Sequence, residues 1–125
     1  MNEHPSQEEN DDPEPFKELD RLLVSMQLNS ALVNLKAGNA RAAIKICSDL
    51  LESSIITEAD KPKTYYRRGQ AYGKVREDEL AIEDLKKALA YMPNDAGVIA
   101  ELNAAKARLK ARREKEKAVY AKLFS

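Results

Sequence analysis

An all-α fold of antiparallel helix pairs is predicted by three features of this 125-residue chain. From Phe16 onward, apolar residues recur with a period close to 3.6, the signature of helices that bury one stripe. Short segments holding Gly, Asn, Asp or Pro interrupt that period and divide it into helices of about 14 residues. The interrupted pattern then returns: Ala31 to Gly69 and Ala43 to Ala81 are both 38 residues apart. Abundant Ala, Leu, Lys and Glu, with four Gly, agree with a helical chain of one domain.

Residues 1–15 carry three prolines, six acids and no Leu, Ile or Val. Such a segment buries too little apolar surface to offset the entropy of ordering it, so it reads as a disordered acidic tail. His4 lies there, and a lone histidine with no partner reads as solvated rather than as a ligand or a pH sensor. Leu19, Leu22, Leu23, Met26, Ala31 and Leu35 mark the first helix, which should stop near Gly38. Asn39 is placed to cap the second, whose stripe is Ala43, Ile44, Cys47, Leu50 and Leu51. Residues 53–60 read as a loop, and Asp60 is placed to cap the third helix. Pro62 suits that helix's first turn, where its missing N–H would be unpaired anyway, and the helix should run through Tyr65, Tyr66, Gly69 and Tyr72 to about Val75. After a turn over 76–78, Leu80, Ile82, Leu85, Ala88 and Leu89 form the fourth helix, which Pro93 ends. Asn94 or Asp95 then starts a longer fifth helix, with Val98, Ile99, Leu102, Ala105 and Leu109 as its core-facing stripe.

Tyr65-x2-Arg68-Gly69-x2-Tyr72, followed by Ala81-x3-Leu85, Ala88 and Pro93, resembles the tetratricopeptide unit of roughly 34 residues. Tyr65 stands for the usual Trp and Arg68 for the usual Leu. Gly69 and Ala81 allow two antiparallel helices to approach closely, and Tyr72 fills the space beside them. Ala31, Gly38, Ala43 and Cys47 sit at matching offsets in a weaker copy, and the 38-residue offset puts four extra residues in the linker around 53–60. The chain therefore divides into a tail (1–15), two repeats within 16–95 (about 24–57 and 62–95) and an extended basic helix (96–125). The expected architecture is a right-handed superhelix of helix pairs closed by a long C-terminal capping helix.

The formal charge is zero, from 21 basic and 21 acidic residues, but the order is polarised. Residues 1–20 hold eight acids and one base, residues 21–100 ten acids and 12 bases, and residues 101–125 three acids and eight bases. No apolar run approaches the roughly 20 residues of a spanning helix, so no membrane partner is expected. With no charged-then-apolar leader at its start, the chain is expected in the cytoplasm, with the nucleus also compatible. One Cys rules out an internal disulfide framework and a Cys-based zinc cage. Cys47 occupies a helical slot that wants a small apolar side chain, and it lacks the basic, partly exposed setting of a catalytic thiol. Without a His-Cys-Asp constellation, a glycine loop or paired carboxylates, neither an enzyme nor a cofactor nor a metal is expected.

Two stretches carry a more specific resemblance. Leu28-Asn29-Ser30-Ala31 and Lys63-Thr64-Tyr65-Tyr66-Arg67-Arg68-Gly69-Gln70-Ala71-Tyr72 resemble the repeat domain of the large immunophilins and related co-chaperones. Lys115-Glu116-Lys117-Ala118-Val119-Tyr120-Ala121-Lys122-Leu123-Phe124 is similar to the terminal helix of the forty-kilodalton cyclophilins. The resemblance covers roughly residues 17–125 and implies a groove for the C-terminal Glu-Glu-Val-Asp tail of the ninety-kilodalton, or the seventy-kilodalton, heat-shock chaperone. It implies Asn29, Lys63 and Arg67 as members of the carboxylate clamp that holds that tail. It also implies a further Lys and Asn from a preceding repeat, and a proline isomerase domain, neither of which residues 1–16 resemble; the chain thus reads as a fragment or a shortened form. An absent neighbour would leave Leu23 and Met26 uncovered, with marginal stability or self-association through the open N-terminal face as the consequence.

The residues make chemical sense apart from that resemblance. A peptide ending in an α-carboxylate and an Asp calls for cationic donors and an amide, and Lys63 and Arg67, spaced i, i+4, project from one helix face. Taken singly, Lys63 reads equally as a solvated first-turn charge and Arg67 as one half of a surface ion pair. In the last helix, Val119, Tyr120, Leu123 and Phe124 form an apolar patch beyond a charged stretch. It reads either as a solvated extension or as a basic amphipathic anchor for calmodulin, which the resemblance also implies. Glu114 and Glu116 interrupt the basic run and no aromatic platform accompanies it, so nucleic acid is not an expected partner.

Overall fold

The computed structural model describes residues 14–125, so the expected acidic tail lies, up to residue 13, outside the described residues. Those residues form five helices and no strand: α1 (Glu14–Lys36), α2 (Ala40–Glu52), α3 (Lys61–Lys74), α4 (Asp78–Tyr91) and α5 (Ala96–Leu123). The first helix starts two residues before the expected boundary at 16.

Each helix packs on the next, and α1 also touches α3, as α3 touches α5. The first helices of the two pairs and α5 therefore share one layer, with α2 and α4 in the other. This is the all-α, tetratricopeptide-like arrangement expected, and its repeat is visible in burial. Ala31, Ala40, Ala43, Cys47 and Leu50 are buried, and so are Gly69, Asp78, Ala81, Leu85 and Ala88, each 38 residues further on. Between the pairs, the lengthened linker supplies Ile55 and Ile56, which pack against Val24, Leu28 and Leu50.

The helix ends repeat too. At the end of α1, Asn39 N–H donates to the Asn34 carbonyl at 2.7 Å, with Gly38 between them at φ +88. At the end of α3, Glu77 N–H donates to the Tyr72 carbonyl at 2.9 Å, with Arg76 at φ 67. Both are left-handed closures that satisfy otherwise orphaned carbonyls. A Cβ at Gly38 would meet nothing within 4 Å, so the role of that glycine is conformational rather than steric. Gly69 is the opposite case: a Cβ there would lie 2.8 Å from Leu85 Cγ, so the crossing of α3 over α4 requires glycine.

Of the expected caps, only Asp95 acts as one, its carboxylate accepting from Val98 N–H at 3.0 Å. Asn39 makes no side-chain cap bond, because its amide turns back to donate to the Asn34 side chain at 3.5 Å. Asp60 makes none either; its carboxylate accepts from the Thr57 hydroxyl at 2.8 Å and so ties the linker turn.

The small packing residues Ala31, Ala43, Gly69 and Ala81 are all buried, and Tyr72 packs against the cluster of Ala81, Leu85, Leu102 and Ala105. Tyr65 is half-buried beneath two cations, with Arg68 Cζ at 5.9 Å and Lys87 Nζ at 5.4 Å from its ring centroid. Pro93 is exposed in the turn between α4 and α5, where its effect is to stop the helix.

Arg68, the departure from the repeat pattern, holds three helices together. Its Nε and Nη2 donate to the Asp84 carboxylate of α4 at 2.7 and 2.8 Å, and its Nη1 donates to the Ser48 hydroxyl of α2 at 3.2 Å. Cys47 lies in the core, and burial pushes its thiol up to about 11. No helix among the described residues is long and apolar enough to cross a membrane.

Candidate peptide-binding groove

A hollow of about 330 Å³ opens between α1 and α3. Asn29 of α1 and Lys63 and Arg67 of α3 all line it, with Arg21, Ser25 and Asp60. Helical spacing explains the convergence. Arg21, Ser25 and Asn29 follow one another at i, i+4 and i+8 along α1, and Lys63 and Arg67 at i, i+4 along α3. The buried face of α1, with Val24, Leu28, Ala31 and Leu35, fixes the rotation that turns this stripe toward α3.

The two α3 cations are not equivalent. Arg67 is half-buried, and its Nη1 donates to the Leu28 carbonyl, so it holds α3 to α1 as well as lining the groove. Burial lowers its pKa from the ordinary value, although a guanidinium stays cationic throughout the physiological range. Its partner is a backbone carbonyl on the neighbouring repeat, not the surface acid that a reading of Arg67 alone suggests. Lys63 is exposed and, among the described residues, forms no ion pair. Asn29 is exposed too.

Arg21 and Ser25 are not among the site residues expected from the sequence. Their signal is the i−4 and i−8 spacing from Asn29, but the opposite wall of their part of the groove comes from Thr57, Ala59 and Asp60 of the linker. A linker's path is not written in helical periodicity.

No family model matches the chain. Curated relatives do. The peptidyl-prolyl cis-trans isomerase D of Eremothecium gossypii is 38% identical over 107 residues, which are 86% of this chain and 29% of that protein. The protein of the same name from Kluyveromyces lactis is 37% identical over 112 residues, 90% of this chain and 30% of its own length. That from Cryptococcus neoformans var. neoformans serotype D is 39% identical over 120 residues, 92% of this chain and 32% of its own length. This chain is homologous to one region of the peptidyl-prolyl cis-trans isomerase D proteins. It spans about a third of the length of these relatives.

At the far end of the molecule, α5 is less free than its basic sequence suggests. Arg108 Nε pairs with Asp78 at 2.9 Å, Arg112 Nη1 donates to the Arg76 carbonyl at 3.2 Å, and Arg113 pairs with Glu79 at 2.6 Å. These contacts fasten α5 to the start of α4. Beyond them the helix projects, and Val119, Tyr120, Leu123 and Phe124 are exposed on it, with the Tyr120 and Phe124 rings 4.9 Å apart. A second uncovered apolar surface lies on α1, where Phe16, Leu19, Leu22, Met26 and Val33 are exposed on the side away from its buried stripe. Among the described residues, no group of His, Cys, Asp and Glu is arranged to hold a metal ion.

Proposed function

We propose that this chain is a non-enzymatic adaptor of co-chaperone type, whose groove between α1 and α3 binds the acidic C-terminal Glu-Glu-Val-Asp tail of a ninety- or seventy-kilodalton heat-shock chaperone. Asn29, Lys63 and Arg67 form a partial carboxylate clamp, with Lys63 as the charge free to meet the terminal carboxylate and Asn29 as the amide donor. The observation that carries this reading is the sharing of one groove by three side chains from two helices, the same three that the immunophilin resemblance selects. Charge-assisted hydrogen bonds contribute about 1.5–3 kcal/mol each. An exposed lysine sits at the low end of that range, so Lys63→Ala should weaken binding about tenfold, the equivalent of ~1.4 kcal/mol. Calorimetric titration of a Met-Glu-Glu-Val-Asp peptide into wild type and Lys63→Ala tests it, with micromolar or weaker affinity expected for the wild type. Wild type that does not bind, or a variant that binds equally well, refutes the clamp. Arg67→Ala should lower affinity and unfolding stability together, because its guanidinium also bonds the Leu28 carbonyl.

A second reading concerns the projecting end of α5, favoured by the exposure of Val119, Tyr120, Leu123 and Phe124 beside Lys115, Lys117 and Lys122. A basic helix with apolar anchors suits calmodulin. Calcium-dependent binding abolished by Tyr120→Ala with Phe124→Ala supports it, and calcium-independent or absent binding rejects it.

A further inference from the structure

We propose that Arg21 is a specificity-determining residue of the groove, one that reads acidic side chains upstream of the terminal carboxylate in an extended acidic peptide. The proposal rests on the clamp reading and adds a contact which that reading does not contain. Its basis is the register of the two groove walls. Residues 17–24 of α1 face 54–60, residues 21–29 face 57–67, and residues 32–36 face 70–74, so α1 and α3 run in the same direction. Arg67 is pinned beside Leu28, which puts Lys63 about one turn back, level with Ser25, and Arg21 a further turn outward. Past Arg21 the groove continues into a second hollow of about 290 Å³ that is lined by Lys17, Asp20, Val24, Ile55 and Asp60 as well as Arg21 itself.

Charge along this path favours an anionic occupant. Four cations (Lys17, Arg21, Lys63 and Arg67) line the two hollows against two acids, Asp20 and Asp60. The Asp60 carboxylate is turned onto the Thr57 hydroxyl. Arg21 forms no ion pair among the described residues, so its planar fork is open to a carboxylate. A peptide whose terminal carboxylate is held at Asn29, Lys63 and Arg67, and whose chain leaves along the groove, passes Arg21 within a few residues of its end. Arg21 thus supplies from α1 itself a cation of the kind that the family resemblance expects from a preceding repeat.

The test uses two peptides, Met-Glu-Glu-Val-Asp and Met-Gln-Gln-Val-Asp, titrated against wild type, Arg21→Gln and Lys63→Ala, with far-UV circular dichroism to verify that each variant is folded. Arg21 is exposed and carries no core packing, so its replacement leaves the fold intact. Arg21→Gln is expected to weaken the Glu-Glu peptide about three- to tenfold, as for a rim charge pair, and to leave the Gln-Gln peptide within twofold. Lys63→Ala weakens both peptides. Arg21→Glu, which reverses the charge, deepens the loss for the Glu-Glu peptide alone. If the wild type binds and Arg21→Gln weakens both peptides equally or neither, the role of Arg21 is overturned while the clamp stands. If the wild type binds neither peptide, the clamp falls and the role of Arg21 falls with it.

Discussion

Replacing Arg68 with Leu, the residue usual at its place in the repeat, should destabilise this protein even though it restores the family pattern. Asp84 is the reason. Its side chain is 1% exposed and the Arg68 side chain 18%, and the two are joined by parallel hydrogen bonds at 2.7 and 2.8 Å. Arg68→Leu removes both bonds and leaves the carboxylate in the core between α3 and α4, a situation that costs about 3–5 kcal/mol. Asp84→Ala should cost less, about 2–3 kcal/mol, because the partly exposed guanidinium can turn toward water and keep its place between Tyr65 and Tyr72. The double variant removes both charges, so it should recover at least about 2 kcal/mol relative to the sum of the single losses. Against a total stability of roughly 5–15 kcal/mol for a domain of this kind, each single loss is large. Urea unfolding followed by helical circular dichroism measures all three as shifts in midpoint, with the slope unchanged. Single losses that add, with a coupling below about 0.5 kcal/mol, would show that the pair contributes no more than a surface ion pair and refute the reasoning.

Three further outcomes follow from local geometry. Gly69→Ala should lower stability by about 1–3 kcal/mol in the same urea assay, because a new Cβ 2.8 Å from Leu85 Cγ outweighs the better helix propensity of alanine. Arg76→Gly should raise it by about 1 kcal/mol, since Arg76 sits at φ 67 and its carbonyl still accepts from Arg112 after the change; an unchanged or lower midpoint contradicts this. Cys47 titrates at about 11 in the folded protein against an ordinary 9.0, so between those values the unfolded chain loses a proton that the folded chain keeps. Stability relative to Cys47→Ala should therefore fall by on the order of 2 kcal/mol from about pH 9 to pH 11, and the thiol should resist alkylation at neutral pH; a pH-independent difference argues against this.

Much of the architecture is legible in the order of residues because helix formation is local. The 3.6 period, Gly38 and Pro93 delimit the helices to within a few residues of their observed ends, and the 38-residue spacing of Ala31 and Gly69 reflects paired close approaches between helices. The clamp candidates are legible in part: the i, i+4 spacing puts Lys63 and Arg67 on one face of α3 whatever packs beside it.

What spacing does not decide is which charges meet. Arg68 appears in the sequence only as a departure from a pattern, and its partner lies 16 residues away on the next helix. The basic stretch of α5 looks free to bind a partner, yet Arg108 and Arg113 are engaged with Asp78 and Glu79 across the packing of α4 on α5. Asn39 and Asp60 stand where caps belong, but the dihedral angles and neighbours at each site give their side chains other bonds. Arg21 joins the groove only because the lengthened linker folds back to supply the opposite wall. Local periodicity and small residues therefore determined which segments are helical and where they touch. The tertiary structure alone decided where long polar side chains end, because their reach spans elements whose relative placement no single helix encodes.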